Sequence, residues 1–197
     1  MGLVLQVFCV FFMTKVRDHR QKLRLIARLL AVSFLLLSTV AHGYSQETEL
    51  ENGASGLPLP RFVSTKSSLV NVRVGPGRNY SVVWNFQKRG LPVEITQEYD
   101  NWRKIRDCDG DEGWVYQSLL TGKRTGMVAP WNKDKKILTP LRHEPSSTST
   151  VVAQVEADAI GLIKKCNGDW CEISFDGAKG WMEQTQLWGV YPGEKIK

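Results

Sequence analysis

Nucleophilic catalysis is built from a thiol and an imidazole. Beyond residue 43 the chain offers Cys108 and a single histidine, His143. The two lie in different halves of a duplicated pattern, and no spacing suggests a third group to orient the imidazole. The stretch "DCDGDEG", residues 107–113, alternates three acids, Asp107, Asp109 and Asp111, as a calcium loop does. Such a loop needs Gly at its sixth position and Glu at its twelfth, where this chain has Glu112 and Ser118. The stretch reads instead as a solvated hairpin turn. Nothing has the pattern of a nucleophile elbow or of a glycine-rich phosphate loop before a helix. The expectation is a protein that is not an enzyme and uses no metal and no cofactor.

Two other cysteines carry a different chemistry. Cys166 and Cys171 bracket the turn "NGDW". A turn of that length places them on adjacent antiparallel strands, with Cα atoms about 4.5–5.5 Å apart, within disulfide range. A Cys166–Cys171 disulfide is expected, with Cys108 left unpaired. The tryptophans matter as well. In "WCEISF", Cys171, Ile173 and Phe175 alternate onto one face, which puts Trp170 on the other; in "WRKIRD", Ile105 faces in and Trp102 out.

The elements that position these residues come from an internal repeat. Val72-Arg73, Pro76 and Val82-Val83 match Leu141-Arg142, Pro145 and Val151-Val152 at an offset of 69. Trp102 with Ile105 matches Trp170 with Ile173 at 68, and Gly113-Trp114 with Gln117 matches Gly180-Trp181 with Gln184 at 67. The offset changes only between strands, where loops absorb insertions. Each copy reads as strand throughout: "LVNVRV" alternates with Val70, Val72 and Val74 on one face, and "SVVWNF" and "LPVEITQEY" are rich in β-branched and aromatic residues. Short strands in so few residues suit a small, strongly bent barrel. That offers no deep cleft for a glycosidase's paired carboxylates.

The net charge of +6 is concentrated at the N-terminus: residues 1–43 hold six Lys/Arg and one acid, leaving +1 for the rest. A nucleic-acid partner is therefore not expected. "KVRDHRQKLRLIAR", the apolar "LLAVSFLLLSTV" and "AHG" form the three parts of an export signal. Cleavage is expected after Gly43, with Ala41 the second choice and an uncleaved anchor the competing reading. Met13 opens this signal and is the expected true start. Residues 44–61 are polar and Pro/Gly-containing, and read as a disordered tether.

"NVRVGPGRNYSVV", a Trp after a tight turn, and "DGDEGWVYQSLL" resemble the bacterial SH3-like domains. Copy two is more diverged, with "LRHEPSSTSTVV" in place of the first of these. The resemblance implies an all-β chain of two tandem five-stranded SH3-like barrels that bind cell-wall material or peptides. The expected organisation is signal 1–43, tether 44–61, barrel one 62–122, linker 123–126, barrel two 127–189 and tail 190–197. The resemblance further implies a ligand groove in barrel one formed by Trp102, Trp114 and Tyr80. Packing of these tryptophans on the barrel rim or at the junction is the competing reading. Ser149 stands where barrel one has Tyr80, so the groove of barrel two is expected to be the poorer one. Trp131, in the basic connector 123–136, is expected between the barrels, with contact to an anionic wall polymer as the alternative. The functional expectation is an exported, periplasmic or secreted, non-catalytic protein with no membrane span once the signal is cleaved. Its partner is peptidoglycan or an envelope protein or peptide; the alternative is a subunit or inhibitor of another envelope protein.

Overall fold

A computed structural model describes residues 51–134 and 136–197; the expected export signal, residues 1–43, and residues 44–50 lie outside the described residues. The chain runs through β1 (Glu51–Asn52), β2 (Pro58–Leu59), β3 (Arg61–Thr65), β4 (Val70–Arg73), β5 (Val82–Phe86), β6 (Pro92–Tyr99), β7 (Trp102–Arg106), β8 (Glu112–Tyr116) and β9 (Leu120–Thr121). It continues through β10 (Thr125–Val128), β11 (Thr139–Arg142), β12 (Val151–Val155), β13 (Ile160–Asn167), β14 (Trp170–Phe175), β15 (Ala178–Glu183), β16 (Leu187–Trp188) and β17 (Lys195–Ile196). A 3-10 turn precedes β9 and another precedes β16. The first sheet has the order β5-β4-β8-β7-β6-β3-β9 and the second β12-β11-β15-β14-β13-β10-β16. Shifting every number by seven converts one into the other. The duplication read from the sequence is thus a duplication of topology, and the all-β tandem architecture is as expected.

Period-two alternation builds both cores. Val70 and Val72 of β4 pack with Val93, Ile95, Ile105 and Val115 in barrel one. Leu141, Ile163, Cys171, Ile173, Met182 and Leu187 do the same in barrel two. Val74 does not join them: the register shifts between Val72 and Arg73, β4 ends there, and Val74 is exposed. Such a bulge re-aims every later side chain. The Gly-Trp pairs have a steric cause. A Cβ on Gly180 would lie 2.5 Å from the Arg142 carbonyl oxygen, and one on Gly113 would collide with Val72.

Three parts of the expected organisation change. Residues 51–60, expected within a disordered tether, form the β1–β2 hairpin. Its turn residue Ser55 donates to Glu98 through both backbone N–H (2.7 Å) and hydroxyl (2.8 Å). A long-range carboxylate clamp of this kind leaves no local trace in a polar sequence. The barrel-two boundary expected at 127 falls inside β10, which begins at Thr125. Residues 190–197 are not a free tail, since β17 pairs with Cys166 and Asn167 of β13.

That C-terminal segment also joins the barrels. The Tyr191 hydroxyl donates to Glu94 (2.7 Å), and Arg106 donates to the same buried carboxylate. Trp188 donates its indole N–H to the Pro92 carbonyl (3.1 Å), and its ring meets Phe62 edge-on at 5.1 Å. Arg124 lies over Phe62 and pairs with Glu194. Trp188 therefore fills the junction role expected of Trp131.

Candidate functional site

The two barrels diverge where β7 faces β8 and β14 faces β15. Trp102 is cross-strand partner to Tyr116, and Trp170 is partner to Glu183. Directly opposed residues share a face with Cβ atoms about 4.5–5.5 Å apart. In barrel one the Tyr116 ring meets Trp102 edge-on at 5.4 Å, and Arg78 lies over Tyr116. Trp102 is left only 9% exposed. The sequence register put Trp102 on the outward face; the correction is that this face is covered there. A residue so enclosed is not an open ligand platform.

The other two residues of the expected barrel-one groove do not gather round it. Tyr80, 43% exposed, is folded back on its own loop: a Cβ on Gly75 would lie 2.6 Å from the tyrosine ring. This explains why barrel two, with Ser149 in place of Tyr80, tolerates Glu144 and Ser146 where barrel one needs Gly75 and Gly77. Trp114 is half-buried and lines a separate depression with Pro76, Tyr99 and Pro60.

In barrel two, Glu183 cannot cover an indole as Tyr116 does, and Trp170 stays partly open. It stands between two adjoining depressions that share Trp170 and Glu183. One, of ≈ 550 Å³, is lined by Trp131, Ile137, Leu138, Pro140 and Arg142 among others. The other, of ≈ 760 Å³, runs past Asp169, Thr185, Val190 and Pro192. Trp131 is 54% exposed and is part of this wall rather than of the junction. The two together make an elongated groove with Trp170 and Glu183 at its centre. These depressions flank the tryptophan of the barrel whose groove was expected from sequence to be the poorer. The signal for it was present: Tyr116 and Glu183 are matched positions at offset 67.

Backbone chemistry fixes Trp170. The Asn167 side-chain oxygen accepts the N–H groups of Asp169 (3.1 Å) and Trp170 (2.8 Å), an Asx turn that Gly168 completes with φ of 115°. Directly beneath it lies the Cys166–Cys171 disulfide, the pairing that the spacing predicted, with a Cα–Cα distance of 4.1 Å.

The family model for the bacterial SH3 domain matches residues 66–122 and again 135–189. The chain belongs to the bacterial SH3 domain family. No curated protein matches it. Among solved structures it is similar to NlpC2 from Trichomonas vaginalis, at 16% identity and a TM-score of 0.29, over 66% of this chain and 48% of that one. It is also similar to NlpC1 from the same organism, at 16% identity and a TM-score of 0.30, over 70% and 48%. The chain spans about half the length of these two structures.

Residues of this bacterial SH3 protein that could do covalent chemistry are poorly placed for it. Cys108 is free; burial first, and then Asp109 and Asp107, push its thiol up to about 11. It is protonated at neutral pH, and a thiol in that state is a weak nucleophile. His143 is exposed beside Glu144. In the acidic turn the Asp107 carboxylate accepts the N–H groups of Asp109 and Asp111, each at 3.0 Å. Burial raises the pKa of Asp107 despite those bonds. Among the described residues no group of three or more His, Cys, Asp or Glu could hold a metal ion.

Proposed function

We propose that this bacterial SH3 protein is a non-catalytic, exported binding module for cell-envelope material, and that barrel two carries the binding groove. The observation that carries the reading is the partly open Trp170 ridge between two depressions, beside an equivalent Trp102 that Tyr116 has sealed. A partly open indole contributes apolar area at low entropic cost, which is what hot-spot residues supply. The Asn167 turn and the disulfide below it hold that ring in place before any ligand arrives, which lowers the cost of binding. Export is supported by the sequence of residues 1–43 and by a disulfide, a bond that persists in oxidising compartments.

Peptidoglycan is the proposed target. The test is co-sedimentation of the purified protein with purified peptidoglycan, comparing wild type with Trp170→Ala. Retention of the wild type and loss of the variant supports the proposal. A wild type that stays in solution removes it.

One observation favours a second reading, that of a subunit or inhibitor of another envelope protein. Val82 and Val83 on edge strand β5, and Val151 and Val152 on edge strand β12, are all exposed. Edge strands with exposed apolar side chains can pair with another chain. Under that reading a protein from an envelope extract, and not the polymer, is retained.

A further inference from the structure

We infer that the barrel-two groove selects a peptide bearing a free primary ammonium group, seated on the Trp170 ring between Glu183 and Asp169; this rests on the groove reading above. Glu183 is the direct cross-strand partner of Trp170, and Asp169 precedes it in the turn. Both carboxylates are exposed on the groove wall. Among the described residues neither enters an ion pair or a side-chain hydrogen bond. Other strand acids on the protein's outward faces are neutralised: Glu172 by Lys179 (2.8 Å) and Lys165 (3.6 Å), and Glu112 by Lys104 (2.6 Å). Glu183 and Asp169 thus leave two uncompensated negative charges beside the partly open indole.

Among the described residues no nearby cation pairs with either carboxylate. The larger depression has none in its lining. Arg142, in the smaller one, donates to the Ser149 carbonyl at 2.8 Å. Lys195 passes the Gly168 edge of the turn. An indole face attracts a cation through its quadrupole, and a carboxylate within reach of the same point adds charge complementarity. A neutral glycan can donate hydroxyls to two carboxylates but brings no charge to balance them. An amine-bearing peptide would gain from all three groups. Barrel one lacks the arrangement, because Tyr116 occupies the position of Glu183 and Arg78 lies over it.

The probe is a set of soluble muropeptides released from purified peptidoglycan by a muramidase, used before and after acetylation of their free amines. Each is titrated calorimetrically into the full-length protein, and into Trp170→Ala and Glu183→Gln. Acetylation is expected to weaken binding on the order of tenfold, the scale of a desolvated cation–aromatic contact. Glu183→Gln should weaken the unmodified peptides by a similar factor and leave the acetylated ones unchanged; a melt shared with wild type shows that the variant is folded. Equal affinity for both forms, abolished by Trp170→Ala, would overturn the ammonium inference and leave the groove standing. An equal effect of Glu183→Gln on both forms would overturn it as well. Binding of neither form would overturn the inference and the peptidoglycan reading together.

Discussion

Trp102→Ala separates a packing tryptophan from a binding one. The ring is 9% exposed, lies edge-on to Tyr116 and sits on a face where its twin in barrel two is partly open. A tryptophan buries about 150–250 Å² when enclosed. At roughly 25 cal/mol per Å², with part of the area already lost in a compact unfolded chain, truncation costs about 3–5 kcal/mol. For a folded unit of this size each kcal/mol moves the melting temperature by roughly 2–4 °C. Circular dichroism melts should therefore show the variant falling by roughly 6–20 °C, with peptidoglycan retention of the folded protein at low temperature unchanged. A melting temperature within about 2 °C of wild type would refute the reasoning. It would mean that Tyr116 does not seal the ring, and that the barrel-one groove is open after all.

Replacing Cys166 and Cys171 by Ser should cost about 2 kcal/mol, the chain-entropy value for so short a loop, and the loss should appear in amide exchange of β13 and β14 before that of β6 and β7. Tyr191→Phe removes the hydroxyl that donates to buried Glu94, and should lower stability by about 1.5–3 kcal/mol in denaturant titrations, the range for bonds to charged groups. Burial alone would raise the Glu98 pKa, but its bonds from Arg61 and Ser55 and the nearby Arg103 bring it down to about 2. The stability this contributes is complete above the unfolded pKa near 4.3 and is lost as pH falls toward 2, so a Glu98→Gln variant should show a flatter decline between about pH 5 and 2 in acid titrations. A decline of unchanged slope would remove Glu98 from the account.

The architecture was legible because strand alternation and the repeat are local signals. Val72, Ile105 and Val115, with their partners Leu141, Ile173 and Met182, recur at nearly constant offsets and alternate in and out as a half-buried strand must. The cysteine pair was legible for the same reason, since the turn between them fixes their distance. What failed was coverage. Register placed Trp102 and Trp170 on outward faces, but whether an outward ring is open depends on its cross-strand neighbour, and Tyr116 and Glu183 decide oppositely. Tyr80 was misplaced because its ring turns back on Gly75, a contact that leaves a trace only as a glycine. The β1–β2 hairpin and the C-terminal segment were missed because their anchors, Ser55 on Glu98 and Tyr191 on Glu94, join residues far apart in the chain.

The central claim is the proposal that barrel two binds envelope polymer through a partly open tryptophan. It is tested most directly by co-sedimenting wild type and Trp170→Ala with purified peptidoglycan, with a thermal melt of each. Loss of retention by a variant that still folds, with a melting temperature lowered by less than that of Trp102→Ala, is the predicted result, because a partly exposed ring buries less of the fold and supplies more of the contact. Retention equal to that of wild type would contradict the claim.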